Sequence, residues 1–236
     1  MRKRATAAIV TLLALTGAAL AEPSPVVVEL YTSQGCSSCP PADALLAELS
    51  GRDDVIALAL HVDYWDYIGW KDEFADPANT LRQKAYAQAA GQRTIYTPQM
   101  IVGGQDHVMG YKPMKLAKLI EDQRDKPVAV ELSLTRVGDA VQIDAQTVSK
   151  SADGLPGGMV VQLVRYIPES TVEIGRGENA GRTITYTNIV SGWTALGEWD
   201  GVMPLSMQAD APGDEPVVVL LQSAGHGAIL AAARLR

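Results

Sequence analysis

The sequence has little cysteine and fewer basic than acidic residues. Among 236 residues there are two cysteines, and 20 Lys and Arg residues stand against 27 Asp and Glu residues, which gives a net charge of -7. Nucleic acids and anionic membranes are bound by basic faces, so this charge balance argues against both as partners. The hydrophobic fraction of 47% is that of an ordinary globular protein and excludes disorder, collagen and coiled coil.

Long apolar runs are lacking beyond the N-terminus. Arg2-Lys3-Arg4 precedes an uncharged, mostly apolar run from Ala5 to Leu20, and Ala19-Leu20-Ala21 has the small-x-small pattern of a signal-peptidase site. The run is short for a membrane span of ~20 apolar residues, although an uncleaved anchor is the alternative. We therefore predict that residues 1–21 are a cleaved signal peptide, that the mature protein is secreted or periplasmic, and that it has no membrane span.

The first half of the mature chain alternates strands and helices. Val26 to Tyr31 and Val55 to Val62 are nearly continuous apolar runs of the kind found inside parallel sheets. Between them, Pro40-Pro41 opens a helical pattern, because proline is tolerated only in the first helical turn. The predicted order β-α-β-α-β-β-α is completed by helices that begin at Pro77 and Pro113 and by a hairpin within residues 99–109.

The pattern changes after Lys126-Pro127. No helical periodicity of any length follows, and short strands separated by Gly, Asp and Pro turns are typical of an antiparallel sandwich. We therefore predict a domain boundary here, with one domain over residues 22–126 and an all-β antiparallel sandwich domain over residues 127–236. The predicted strands lie near residues 128–137, 140–149, 159–166, 183–190, 217–223 and 228–235.

The two cysteines lie at the N-terminal end of the first predicted helix. A C-x-x-C pair alone is weak evidence, because it also occurs in zinc sites, haem attachment sites and chance loops. Here no second C-x-x-C pair is present and Cys39 is followed by proline instead of histidine, which argues against a four-cysteine zinc site and c-type haem. A strand, C-x-x-C, a helix and a strand, followed by Thr97-Pro98 before a hairpin, form a much more specific set.

This set resembles the thioredoxin superfamily through Cys36-Ser37-Ser38-Cys39 and Thr97-Pro98. More closely, the chain resembles secreted bacterial thioredoxin-like proteins known as domain of unknown function family 1223. The resemblance implies an α/β thioredoxin-like fold over residues 22–126. Within it, the aromatic and acidic stretch from Asp63 to Phe74 and the helix that follows to Gly91 are predicted to form an inserted or extended crossover. The matching segments are Glu29 to Asp43 (ELYTSQGCSSCPPAD), His61 to Asp66 (HVDYWD), Tyr96 to Gln99 (YTPQ) and Gly175 to Asn179 (GRGEN).

The resemblance implies a thiol-disulfide oxidoreductase that acts on exported protein substrates with an unidentified redox partner and needs no cofactor beyond its own disulfide. A helix N-terminus stabilises a thiolate, and it lowers a cysteine pKa from ~8.5 toward the range of about 3.5–7.5. Cys36 is expected to be the exposed nucleophile and Cys39 the resolving thiol. Oxidation, reduction and isomerisation all remain open. A permanently oxidised disulfide on a non-catalytic thioredoxin-like binding module is an alternative.

Further residues are candidates for the same site. If the Thr97-Pro98 bond is cis, as the superfamily pattern implies, the Thr97 backbone could pair with an extended substrate segment. Tyr64 and Trp65, with their aromatic neighbours, line a substrate cleft or instead join the two domains. Glu29 is a candidate proton acceptor for Cys39, although strand alternation aims it at the opposite face unless a bulge intervenes. Its alternative role is a strand carboxylate held by backbone donors or by the second domain.

Copper is the alternative ligand. His61 ends a buried strand and His107 lies in the hairpin, so with Cys36 and Cys39 they could form an N2S2 site in a periplasmic copper-binding chaperone. A strand-end histidine is more often packed or hydrogen-bonded. The glycine-rich run 175–181 does not have the G-x-G-x-x-G spacing of a nucleotide loop, so we predict a loop between strands.

Overall fold

The computed structural model describes residues 24–148 and 158–236, so the predicted signal peptide lies outside the described residues. No helix within the described ranges is long and apolar enough to cross a membrane. A short 3-10 helix spans Asp66–Ile68. The other elements are β1 (Val26–Thr32), α1 (Pro40–Ser50), β2 (Val55–His61), α2 (Pro77–Ala89), β3 (Gln99–Val102), β4 (Asp106–Met109), α3 (Pro113–Arg124), β5 (Val130–Val137), β6 (Ala140–Thr147), β7 (Met159–Ile174), β8 (Arg182–Trp199), β9 (Leu205–Asp210), β10 (Val217–Ser223) and β11 (Ile229–Leu235).

Eight strands form one large sheet in the order β11-β10-β7-β8-β2-β1-β3-β4. Its centre is the parallel pair β1 and β2, whose residues are all buried, as expected for apolar runs inside a sheet. The predicted β-α-β unit is therefore confirmed. β2 also pairs in parallel with β8, through Ala59 and Ile189. The structure is thus mixed α/β, with a large sheet that draws strands from both halves of the chain.

The second half does not form the separate sandwich that the sequence predicts. The small antiparallel sheet of β5, β6 and β9 packs on the large sheet. A sandwich has two sheets, and here the second one is the large sheet, which also contains strands from the first half. The reason lies in β10, which is buried on both faces. Val217 and Val219 pack toward the small sheet, whereas Val218 and Leu220 pack toward the side that carries α2. The domain boundary at residue 126 stays a prediction.

β7 and β8 form a hairpin much longer than predicted. Their pairing runs from Met159 opposite Trp199 to Ile174 opposite Arg182. In its outer part, buried Val172 and Ile174 alternate with exposed residues and join a small apolar cluster away from the main core. This alternation gives a weaker strand pattern than a continuous apolar run. The extra length carries the tip of the hairpin to the N-terminal end of α1.

A buried ion pair lies on the face of the large sheet that α2 covers. Arg82 of α2 donates from Nε and Nη2 to the Glu29 carboxylate at 2.8 and 2.9 Å, and Tyr86 and Tyr31 donate their hydroxyls at 2.7 and 3.1 Å. Glu29 is fully buried and Arg82 is nearly so. Arg82 Nη2 also donates to Gln222 Oε1 of β10 at 3.1 Å. The pair therefore connects β1, α2 and the second half of the chain.

Replacing Arg82 with methionine tests this connection. Arg82→Met leaves the Glu29 charge buried and unpaired, so we expect the free energy of unfolding to fall by about 3–5 kcal/mol. Arg52→Met is the matched control, because Arg52 pairs with Asp54 where the side chains are 39% and 38% exposed, and a surface pair contributes less than about 1 kcal/mol. Urea unfolding of the three proteins measures both changes. Equal losses in the two variants would contradict the role of the buried pair.

Candidate functional site

Cys36 and Cys39 are joined by a disulfide at the N-terminal end of α1. Cys39 is the N-cap residue and Pro40-Pro41 occupies the first two helical positions, as the sequence predicts. The Cys39 N–H donates to the Cys36 carbonyl at 3.2 Å, and the Cys39 carbonyl accepts from the Asp43 N–H at 3.1 Å. Both sulfur atoms are therefore held at the positive end of the helix dipole, where an anion is stabilised.

Cys36 is not the exposed residue that the sequence predicts. Cys36 is 1% exposed and Cys39 is 0% exposed, whereas Ser37 and Ser38 between them are exposed. The Ser38 hydroxyl lies 3.5 Å from the Cys36 sulfur. We call residues 33–39 the cysteine loop. Its burial follows from two chain segments that pack against it, one from each half of the chain.

The segment between β2 and α2 covers one side of the cysteine loop. A Cβ atom added to Gly35 would lie 3.1 Å from Ile68 Cδ1 and 3.2 Å from Trp65 Cβ, so this close approach favours glycine. Trp65 Nε1 donates to Thr97 Oγ1 at 2.7 Å. The Thr97–Pro98 bond is cis, as the sequence comparison predicts. Trp65 thus contacts the cysteine loop through its Cβ and reaches Thr97, the residue before Pro98, through its indole.

The aromatic stretch divides into side chains that pack between the two halves of the chain and side chains that face outward. Trp70 and Phe74 pack in an apolar cluster with residues of β7 and β8, so they join the two halves of the chain. Tyr67 is 81% exposed and stacks on Trp65 with 6.5 Å between ring centroids. Tyr64 is placed deeper, and burial raises its pKa to about 12. The outward-facing aromatic surface beside Thr97 is thus formed by Trp65 and Tyr67.

The tip of the β7–β8 hairpin, residues 175–181, covers the other side of the cysteine loop. Asn179 is 2% exposed, and its Nδ2 donates to the carbonyl oxygens of Gln34 at 2.9 Å and of Cys36 at 3.0 Å. The predicted loop between strands is confirmed. Its contact with the cysteine loop was missed, because 143 residues separate Asn179 from Cys36 and no local pattern relates them.

A cluster of buried polar side chains near the start of α1, which the sequence analysis missed, begins with Asp43. This residue follows Cys39 by four positions on α1, so both side chains lie on one helix face. Asp43 is 6% exposed and accepts a hydrogen bond from Thr32 Oγ1 at 2.7 Å. Burial raises the pKa of Asp43 to about 7, against the opposing effects of His61 and the Thr32 hydroxyl. Such a group exchanges protons near neutral pH.

His61 and Asp72 complete this cluster. The Nδ1 atom of His61 lies 2.7 Å from Asp72 Oδ2, and both side chains of this hydrogen bond are fully buried. The same oxygen accepts from the Gln34 N–H at 2.8 Å, which ties the histidine to the cysteine loop. His61 Nε2, Asp43 Oδ2 and Gln34 Nε2 are buried without a partner among the described residues. Buried polar atoms without a partner are uncommon in a purely structural core.

Glu29 does not belong to this cluster. Val28 and Leu30, its neighbours on β1, pack in the apolar cluster under α1. Strand alternation therefore turns Glu29 to the opposite face, where it pairs with Arg82. The predicted proton-relay role of Glu29 is corrected accordingly. Asp43 is the carboxylic acid on the same helix face as Cys39.

The four residues of the alternative copper site are not assembled. Cys36 and Cys39 are bonded to each other, and His61 lies on the face of the large sheet that α1 covers. His107 lies on the other face, where its ring packs edge-to-face on Tyr86 with 6.3 Å between the ring centroids. Within residues 24–148 and 158–236, no group of three or more His, Cys, Asp or Glu side chains is arranged to hold a metal ion.

A family described as protein of unknown function (DUF1223) matches residues 27–222, a range that includes the cysteine loop and the tip of the β7–β8 hairpin. The chain belongs to this family. None of the curated proteins matches the sequence. The crystal structure of an Agrobacterium tumefaciens protein is similar to this DUF1223 chain at 34% identity and a TM-score of 0.76, with 91% of this chain and 95% of that chain covered.

A second solved structure, HBP35 of Porphyromonas gingivalis, is similar at 17% identity and a TM-score of 0.63. The alignment covers 90% of this chain and 75% of the HBP35 chain. At this identity the likeness concerns the fold alone. Both alignments extend over nearly the whole DUF1223 chain, so the fold they describe includes the second half.

Asp43→Asn tests the protonation of the buried acid. Because the folded-state pKa of about 7 is above the unfolded value, the folded chain holds a proton that the unfolded chain has released. The stability from this group is complete below pH ~4 and is lost as the pH rises to ~7, a loss on the order of 2–4 kcal/mol. We expect Asp43→Asn to lack this loss in urea unfolding measured from pH 4 to pH 8.

Asp54→Asn is the matched control for this experiment. The hydrogen bond from Arg52 lowers the pKa of Asp54, so its contribution has the opposite sign: it is present above pH ~4 and is lost only as the pH falls below ~4. Asp54→Asn is therefore expected to keep the shape of the wild-type profile between pH 4 and pH 8. Parallel pH profiles for the wild type and Asp43→Asn would contradict the raised pKa.

Proposed function

We propose that the protein is an exported thiol-disulfide oxidoreductase whose first half is thioredoxin-like. The element order β1-α1-β2-α2-β3-β4-α3, with the cysteines at the start of α1 and Thr97-Pro98 before β3, supports the proposed fold relationship. The observation that carries the function is the C-x-x-C disulfide at a helix N-terminus, with the buried acid Asp43 one helical turn behind it. Residues 1–21 are the signal peptide in this proposal, which gives a secreted or periplasmic protein.

A purely structural role explains the disulfide poorly. The bridge closes a loop of sequence separation three, and such a loop removes little chain entropy from the unfolded state. The fold already has a large apolar core on both faces of the central strands. The buried polar cluster would also destabilise a core that served packing alone. These features favour a chemical role for the pair.

In the oxidising direction, a substrate thiolate attacks the Cys36 sulfur. A bond forms between the substrate and Cys36, the Cys36–Cys39 bond breaks, and its electron pair leaves on the Cys39 sulfur. Protonated Asp43 gives its proton to this thiolate. A second substrate thiolate then attacks the substrate sulfur of the mixed disulfide, which forms the substrate disulfide and releases Cys36 as a thiolate. The substrate loses two electrons, and the cysteine pair gains them.

The reverse sequence reduces a substrate disulfide, with Cys36 as nucleophile and Cys39 as resolving thiol. Here Asp43 accepts the Cys39 proton, and Cys39 attacks Cys36 in the mixed disulfide. A raised pKa suits Asp43 to both directions, because the group is partly protonated near neutral pH. A separate redox partner returns the pair to its starting state. The protein needs no further cofactor for either sequence.

The proposed substrates are exported proteins presented as extended segments. Trp65 and Tyr67 provide a large aromatic contact area at low conformational entropy cost. Thr97 is held by the Trp65 indole just before β3, which supports the proposal that its backbone orients the substrate segment. One observation favours a second candidate function: Cys36 is 1% exposed, as in a non-catalytic binding module with a permanent disulfide.

Cysteine substitutions separate the two candidates. In catalysed reduction of insulin and catalysed oxidation of a reduced test protein, Cys36→Ser is expected to lose activity by at least about a hundredfold, because the attacked sulfur is gone. Cys39→Ser is expected to accumulate a mixed disulfide with the substrate that dithiothreitol releases. Ser37→Ala, at the exposed position between the cysteines, is the matched control and keeps activity. A wild-type protein inactive in both assays, or an active Cys36→Ser, would overturn the proposal.

A further inference from the structure

We propose that the tip of the β7–β8 hairpin is a clamp on the cysteine loop, and that Asn179 is the positioning residue that controls access to Cys36. This inference rests on the proposed function, because a clamp matters only if Cys36 reacts. It assigns a role to the second half of the chain: the strands beyond residue 126 carry the segment that covers the disulfide.

Both polar atoms of the Asn179 side chain are hydrogen-bonded, Nδ2 to the cysteine loop and Oδ1 to the hairpin itself. Both hydrogens of Nδ2 are donated, to the carbonyl oxygens of Gln34 and Cys36, at 2.9 and 3.0 Å. Its Oδ1 accepts from Arg182 Nη1 at 3.1 Å, which fixes the amide to the start of β8. Since Asn179 is 2% exposed, the bridge between the hairpin and the cysteine loop is shielded from water.

The rest of the tip adds weaker contacts. Glu178 is exposed, and its Oε2 accepts from the Ser37 N–H at a long distance of 3.4 Å. A Cβ atom added to Gly177, at φ +78°, would lie 3.3 Å from Trp70 Cβ. Through these contacts the tip touches the cysteine loop at Ser37 and the segment between β2 and α2 at Trp70, and neither contact includes a short hydrogen bond. The two hydrogen bonds from Asn179 are therefore the main polar attachment of the tip.

The opposite cover of the cysteine loop is held more firmly. Asp72 binds both His61 and the Gln34 N–H through one carboxylate oxygen. Trp65 is fixed by its bond to Thr97 at 2.7 Å. Opening on that side would break buried charged and aromatic contacts, so the hairpin tip is the side that opens.

The chemistry requires an opening. A thiolate attacks a disulfide sulfur in line with the bond that breaks, and the resulting bond joins the attacking sulfur to Cys36 while the electron pair leaves on Cys39. With Cys36 1% exposed, a protein thiolate cannot take this position in the closed structure. Release of the Asn179 amide frees the Cys36 carbonyl and the loop around it. The clamp thus keeps the disulfide unreactive until the tip moves.

Reduction of the oxidised protein by dithiothreitol and by a small phosphine, followed by alkylation of the new thiols, measures this access directly. Asn179→Ala and Asn179→Asp both remove the donated hydrogens. Because two hydrogen bonds to the loop are lost, we expect the reduction rate constant to rise at least about tenfold with either reductant. The matched control is Asn188→Ala. Asn188 is a buried β8 residue whose Nδ2 donates to the Ala57 carbonyl at 2.8 Å.

Global destabilisation would raise the rate in all three variants, whereas opening of the tip raises it only in the Asn179 variants. Unchanged rates in the Asn179 variants, or an equal rise in Asn188→Ala, overturn the clamp. The wild type gives a second test that does not depend on the folding of any variant. Below the unfolding transition, the clamp predicts a rate that rises weakly with urea, with a slope well below that of global unfolding.

A wild-type rate that is independent of urea, or one that follows global unfolding, contradicts the clamp. In the Asn179 variants the weak slope is expected to disappear, because the loop is already accessible. These rates are measured without a protein substrate, so they separate the two proposals. If the wild type catalyses exchange but the Asn179 variants are reduced at the wild-type rate, the clamp is wrong. If the Asn179 variants are reduced faster but the wild type catalyses no exchange, the proposed function is wrong.

Discussion

The pairing of β2 on both of its edges is the constraint on which the rest of the structure depends. β2 pairs with β1 on one side and meets β8 on the other, and its residues are buried on both faces. Such a strand needs cover on each face and a partner at each edge. The second half of the chain provides the partner at one edge. The long β7–β8 hairpin then continues past the sheet and places Asn179 over the cysteine loop.

The large sheet keeps two groups of buried polar side chains apart. On the α2 face, Glu29 is fully satisfied by Arg82 and two tyrosine hydroxyls, as expected of a structural pair. On the α1 face, Asp43 and His61 each retain a buried polar atom without a partner among the described residues. Only the second group lies near the disulfide. This contrast supports a structural role for Glu29 and a role for Asp43 in proton transfer at the disulfide.

The sequence predicts the local structure well wherever the signal is local. Pro40-Pro41 fixes the start of α1, and the apolar runs of β1 and β2 identify buried parallel strands. It could not predict that β10 and β8 extend the first sheet, because strand order depends on contacts far apart in the chain. Asp43 was missed because an acid in the first turn of a helix usually faces solvent. Burial is the main cause of its raised pKa, and no local sequence pattern shows that burial.

The central claim is that the Cys36–Cys39 pair exchanges electrons with other thiols. Its most direct test is the reduction potential of the purified protein without residues 1–21, measured by equilibration in glutathione or dithiothreitol buffers with alkylation readout. The account predicts a potential between about -270 and -120 mV, the span of proteins that exchange disulfides. A potential below about -300 mV is typical of structural disulfides and would contradict the account.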